Sequence, residues 1–171
     1  LSARVAELAQ SDGPVLIIGE NGVGKEGLAH SIFRASHHCK EVFLQADLLR
    51  TSLENSSDEE RPGAPRVEPD RTENQLRLFF GSEEPAGDGG IKEKPGYFEL
   101  TEEGTLLVRG IEQLTPVVQT KLLEAIVTGT FRRYGGVRLH KVRVRLFATT
   151  RLDAAQISLE RHPLLYGLLE G

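Results

Sequence analysis

Residues 15–26 read VLIIGENGVGKE. Gly19, four further residues, then Gly24 and Lys25 have the spacing of a phosphate-binding loop. The residue types suit that chemistry. Glycine lets backbone N–H groups turn inward around an anion. A helix that begins near Gly24 points its positive dipole end at the same place. Lys25 reaches β- and γ-phosphates as a point charge. The expected binding set is Gly19, Glu20, Asn21, Gly22, Val23, Gly24, Lys25 and Glu26. Glu26 stands where Ser or Thr usually offers a hydroxyl to Mg²⁺.

A second stretch, TLLVRGIEQL at 105–114, ends a hydrophobic run in Arg109 and Gly110. Such runs often end in acidic residues that hold a metal beside a nucleotide. Arginine cannot ligate a cation, and glycine offers no base. No catalytic residue is expected here. Glu112 would need a different backbone path to substitute.

The elements around these stretches have the pattern of an α/β fold. Val15-Leu16-Ile17-Ile18 is an apolar run suited to a strand buried on both faces. Residues 2–10 and 25–36 carry helical spacing, the second with Leu28, Ala29, Ile32 and Phe33 on one face. Val42-Phe43-Leu44 and residues 105–108 are strand candidates. Thr115 and Pro116 have the types of a helix N-cap and first position, Val118, Leu122, Ala125 and Ile126 line one face, and Gly129 closes that helix. Residues 141–148 alternate as one sheet strand. Strands alternating with helices imply a parallel sheet.

The chain of 171 residues fits one domain, 1–171, with net charge −4 and a single cysteine, Cys39. No intrachain disulfide or cysteine metal cluster is available. No apolar run approaches a membrane span, so no membrane is expected and cytoplasm is the default location. Methionine is absent, which points to a piece of a longer protein with other domains. Residues 51–75 contain three prolines, ten charged residues and no aromatic. They are read as a weakly ordered surface insertion. Residues 132–145 hold Arg132, Arg133, Arg138, Lys141, Arg143 and Arg145. Val142, Val144 and Leu146 alternate with the last three, so these charges are read as the solvated face of a strand. With no aromatic platform from 137 to 146, nucleic-acid binding is not expected. His37 and His38 beside Cys39 are read as a polar helix end, because neighbouring helical side chains diverge; no metal site is expected.

Three stretches together resemble the AAA+ domain of sigma-54-dependent transcriptional activators, the bacterial enhancer-binding proteins. They are VLIIGENGVGKEGLAHSIFRAS at 15–36, YFELTEEGTLLV at 97–108, and QTKLLEAIVTGTFRRYGGVRLHKVRVRLFATT at 119–150. In that family the phosphate loop ends Gly-Lys-Glu, so Glu26 fits it. The resemblance implies an AAA+ P-loop core, a parallel sheet flanked by helices, with no helical lid following. It also implies ATP as ligand and ring-like self-association.

The departures carry equal weight. The family's Walker B Asp-Glu falls on Arg109 and Gly110, which implies impaired hydrolysis and weak grounds for Mg²⁺. Its sigma-54 contact loop falls on Pro85, Ala86, Gly87, Asp88, Gly89 and Gly90. Gly87 replaces the contact Phe and Asp88 the Thr, so sigma-54 is not an expected partner. The sensor Asn aligns with Arg151. Arg133 and Arg138 are the only residues able to serve as the arginines the family inserts into a neighbour's site. Three readings stay open: a degenerate ATP-binding regulatory or assembly domain, an interaction module that no longer binds nucleotide, and an active sigma-54-dependent activator.

Overall fold

The computed structural model describes residues 3–48, 70–87 and 89–170. The chain opens with α1 (Ala3–Gln10), β1 (Val15–Ile18), α2 (Lys25–Ala35) and β2 (Phe43–Asp47). It continues with α3 (Arg71–Phe80), β3 (Ser82–Pro85), β4 (Ile91–Lys94), α4 (Tyr97–Leu100) and β5 (Thr105–Arg109). After a 3₁₀ turn at Ile111–Gln113 come α5 (Pro116–Thr128), β6 (Thr130–Arg132), β7 (Leu139–Lys141), β8 (Arg145–Thr150) and α6 (Pro163–Glu170).

Strands β1, β8, β5 and β2 pair in that order, all parallel. Side chains alternate across this sheet. Val15, Ile17, Leu107 and Phe147 face α1 and α2, burying Val5, Ala9, Ala29, Ile32 and Phe33. Leu106, Val108, Leu146 and Ala148 face the other way. There they meet Phe79 and Phe80 of α3, Val118 and Leu122 of α5, and Leu164 and Leu165 of α6. The result is a sheet covered by helices on both faces, as the alternation of elements implied. No helix among the described residues is long and apolar enough to cross a membrane.

Three readings from sequence need correction. The proposed insertion at 51–75 ends too late, because 71–75 are the first turns of α3. Asp70 caps that helix by accepting from the Thr72 amide. Buried Gln75 ties it to the chain before α5, accepting from the Thr115 amide at 2.9 Å and donating to the Gln113 carbonyl at 3.1 Å. Such pairing, forty residues apart, overrides a composition typical of loops. Residues 51–69 lie outside the described residues.

The strand read at 141–148 is two strands. β7 closes a hairpin with β6, and β8 enters the central sheet after a break at 142–144. Arg145 therefore does not lie on a solvated face. It is buried, donating to the carbonyls of Leu8 at 2.7 Å and Gly13 at 3.1 Å, with its guanidinium over the Phe147 ring.

His37 and His38 follow the end of α2, where Ser36 turns extended (φ −83°, ψ 164°). The divergence of neighbouring side chains on a helix does not apply to them. Both rings reach the same residue, Asp12.

Candidate nucleotide site

The phosphate loop leaves the carboxyl end of β1. Its first amide, Gly19 N–H, still donates to Thr150 of β8 at 3.1 Å, so the loop starts from a fixed sheet edge. Gly22 (φ 82°) and Gly24 (φ 90°) both take the left-handed region. A side chain there is strained by about 1–2 kcal/mol. Gly24 is the N-cap of α2, and no side chain caps that end. The first helical amides are thus presented to the loop's concavity, the arrangement that receives phosphate.

Glu20, Asn21, Gly22 and Val23 are exposed, Gly19 and Glu26 half-buried, and Lys25 buried. The Lys25 ammonium turns back onto the loop, donating to the carbonyls of Gly19 at 2.8 Å and Glu20 at 2.7 Å. It stands at the mouth of the loop, where a phosphate would compete for its protons.

Arg109 ends β5, in register with Thr149 of β8 and Asp47 of β2. β8 separates its strand from β1, yet the guanidinium crosses that gap. Its Nε donates to Glu26 Oε1 at 2.8 Å. The Glu26 carboxyl sits below its usual range, chiefly through its own backbone amide, with Arg109 adding to the effect against partial desolvation. The two positions that would face a cation beside the phosphates are therefore joined as an ion pair.

Gly110 takes φ 64°, ψ 50°, and its amide donates to Thr149 Oγ1 at 3.3 Å. A Cβ there would lie 2.6 Å from Gln113 Nε2. Glu112, in the turn that follows, has a side chain only 10% exposed and faces Arg151 across 3.6 Å. Its Oε2 is buried without a hydrogen-bond partner. Of the three positions where the resembled family would carry catalytic or sensing groups at the strand ends, two hold arginines facing glutamates, Arg109 and Arg151, and the third is Gly110.

Arg133 lies elsewhere and is engaged. Its guanidinium is bidentate to Glu99, at 2.9 and 2.7 Å, and donates to Glu93 at 2.5 Å with Glu83 at 3.6 Å. Burial leaves its side chain 11% exposed. It clamps α4 and the β3–β4 hairpin to the β6–β7 hairpin and is not presented to a neighbour. Arg138 stands exposed in the β6–β7 loop.

The β3–β4 hairpin carries residues 85–90 at its tip, closed by Ala86 and Gly90 (2.9 Å) and by Gly89 and Ala86 (3.0 Å). Gly87 is exposed there; Asp88 lies outside the described residues. Ile91, which the sequence reading passed over, is 67% exposed beside the tip.

This parallel sheet, with a glycine loop and a lysine leading into α2, defines a P-loop NTPase core of the AAA+ type. The chain belongs to the sigma-54 interaction domain family, whose model matches residues 1–56 and 70–168. It is 33% identical over 149 residues to a Nif-specific regulatory protein of Sinorhizobium fredii, covering 87% of this chain and 22% of that protein. It is 32% identical over 162 residues to the anaerobic nitric oxide reductase transcription regulator NorR of Aeromonas hydrophila, covering 94% and 28%. The chain thus spans about a quarter of the length of these relatives. Among solved structures it is similar to NtrX from Brucella abortus in complex with ATP. The TM-score is 0.62 and the identity 22%, covering 98% of this chain and 29% of that one. It is also similar to the P-loop NTPase domain of a sigma-54 transport activator from E. coli. There the TM-score is 0.52 and the identity 15%, covering 96% and 82%. These two likenesses share the fold.

Proposed function

We propose that this domain binds ATP through residues 19–26, is impaired in hydrolysing it, and acts as a regulatory or assembly module within a longer bacterial transcription regulator. The observation that carries this reading is the Arg109–Glu26 ion pair beside a well-formed phosphate loop. The loop amides and Lys25 bind the phosphates. Arg109 supplies fixed positive charge where a metal-binding carboxylate would stand. The donor set does not fit Mg²⁺ in its usual place, because the Glu26 carboxylate is engaged by Arg109 and no hydroxyl replaces it. Phosphoryl transfer relies on metal charge and on a residue that orients the attacking water. Gly110 offers neither, and Glu112 is turned toward Arg151. Bound ATP then acts by stabilising one state of the domain.

One observation favours a second reading, an interaction module without nucleotide: the Lys25 ammonium is already satisfied within the loop. Calorimetry with ATP, in Mg²⁺ and in EDTA, separates the two. The first reading expects saturable binding in both, weakened at least tenfold in Lys25→Ala. Absence of binding leaves the second, and binding indifferent to Lys25 overturns binding through the phosphate loop. A turnover rate like that of active relatives, abolished by Lys25→Ala, overturns impaired hydrolysis. The hairpin tip at 85–90 lacks an aromatic, so no complex with sigma-54 is expected in a pull-down with a transition-state analogue. A clear complex would restore the reading of an active activator.

A further inference from the structure

Three side chains converge far from the phosphate loop. Asp12 lies in the turn between α1 and β1, and His37 and His38 in the turn between α2 and β2. In a parallel sheet both turns lie at the amino end of the strands, opposite the nucleotide site. Nε2 of His37 and Nε2 of His38 each stand 3.0 Å from the same atom, Asp12 Oδ1. One ligand atom from each of the three residues falls within 4.8 Å of the others. The imidazole rings lie 4.0 Å apart at their centroids. Behind them, Nδ1 of His38 contacts Glu41 Oε2 at 2.8 Å.

His38 is held through both ring nitrogens, by Asp12 at 3.0 Å and by Glu41 at 2.8 Å, and His37 Nε2 is aimed at the same Asp12 oxygen. Carboxylate behind a histidine, with the opposite ring nitrogen facing a shared point, is the outer-shell arrangement that orients metal ligands. We propose that Asp12, His37 and His38 bind a divalent transition-metal ion of the zinc class, with Glu41 fixing the His38 ring.

The chemistry of the set supports that class. Two imidazoles and one carboxylate suit zinc and its neighbours rather than magnesium or calcium. Bonds of about 2.0–2.1 Å to a tetrahedral ion set ligand atoms roughly 3.3 Å apart, so each nitrogen would open from Asp12 by a few tenths of an ångström while the two nitrogens, which lie within 4.8 Å of each other, settle to the same spacing. Asp12 and His37 are well exposed, with side-chain accessibilities of 75% and 59%, so the ion has an entry path and the ligands can adjust. Three ligands leave a fourth position for water. Cys39 is exposed and outside the converging set. The ion would clip the α1–β1 turn to the α2–β2 turn. It would therefore tie the end of α1 to the end of α2, beside the hold that Arg145 has on the same turn.

The test is zinc titration by calorimetry on the tag-free chain at pH 8, with cobalt(II) absorption as an independent report of a four-coordinate site. One ion per chain is expected, with binding abolished in Asp12→Asn and in His37→Gln. Cys39→Ser should bind as the parent does, and Glu41→Gln about 10–100-fold more weakly. Zinc should raise the unfolding temperature of the parent and leave that of Asp12→Asn unchanged. These surface variants keep the core intact, and circular dichroism verifies it. No saturable binding overturns the site, as does binding retained in both Asp12→Asn and His37→Gln, or binding lost only in Cys39→Ser.

Discussion

Replacing Arg133 with alanine distinguishes a residue that holds this chain together from one that reaches into a neighbour. The guanidinium satisfies both oxygens of Glu99 and bonds Glu93, with Glu83 near. Glu99 and Glu83 have side chains only 21% and 15% exposed, so the variant leaves two carboxylates crowded and poorly hydrated. Removing one partner of a buried pair costs about 3–5 kcal/mol; partial rehydration here brings the expectation to about 2–4 kcal/mol. A loss of about 3 kcal/mol lowers the unfolding temperature of a chain this size by about 6–12 °C. In urea the midpoint should fall by about 1–2 M. Glu99→Gln keeps the shape and one acceptor and should lose less. The double variant should lose less than the sum of the two singles, because the shared contact is then counted once.

The pH dependence has a definite sign. Arg133 holds the Glu99 carboxyl below its usual range, chiefly by direct hydrogen bonding against partial desolvation. Its contribution is therefore complete above the unfolded carboxyl value near pH ~4.3 and lost as pH falls through the lower folded value. The gap between parent and Arg133→Ala should narrow below about pH 4. An arginine acting on a neighbour's nucleotide would behave otherwise. Its removal would leave urea stability within about 0.5 kcal/mol and change only nucleotide-linked behaviour. That result would refute the clamp.

Other expectations are briefer. Gly24→Ala places a Cβ at φ 90°, so it should lose about 1–2 kcal/mol and weaken ATP binding, by thermal unfolding and calorimetry respectively. Arg109→Asp with Gly110→Glu should make ATP binding depend on Mg²⁺. It should also lose about 1–2 kcal/mol, because Gly110 sits in the left-handed region; Gly110→Ala alone, followed by thermal melts, isolates that strain. Gly104→Ala should yield insoluble or unfolded chain in an expression assay, since its Cβ would sit inside the Val42 carbonyl where β2 and β5 begin to pair. Phe79→Ala removes a fully buried ring from beneath α3 and should lower stability by about 3–5 kcal/mol in urea titration.

The phosphate loop was legible because everything that makes it is local. An apolar run, two left-handed glycines and a helix start lie within a dozen residues, so spacing alone placed them. Alternating strands and helices likewise fixed the parallel sheet. The pairs that cross the chain were not legible. Arg109 meets Glu26 across 83 residues, and Arg145 meets Gly13 across 132. No local pattern tells an arginine in a sheet strand from one on a wet face. Gln75 failed for the same reason, since a polar residue after a proline-rich stretch looks solvated until its partners before α5 are known. Thr115 shows a smaller form of the effect. It occupies the N-cap of α5, but its hydroxyl makes no capping bond and instead accepts from Thr72 Oγ1 at 3.2 Å.

Arg145 also bears on how a load applied to α1 would pass through the domain. β1 is an edge strand, and α1 precedes it in the chain. A pull on α1 would ordinarily peel that edge first. The guanidinium at the start of β8 grips the end of α1 and the turn after it. Tension on the segment leading into α1 is therefore shared between the edge and the interior strand. That interior strand ends at Thr149 and Thr150, beside Gly110 and the phosphate loop. A pull applied to α1 would therefore reach the carboxyl end of β8, beside the candidate nucleotide site, without passing through the phosphate loop.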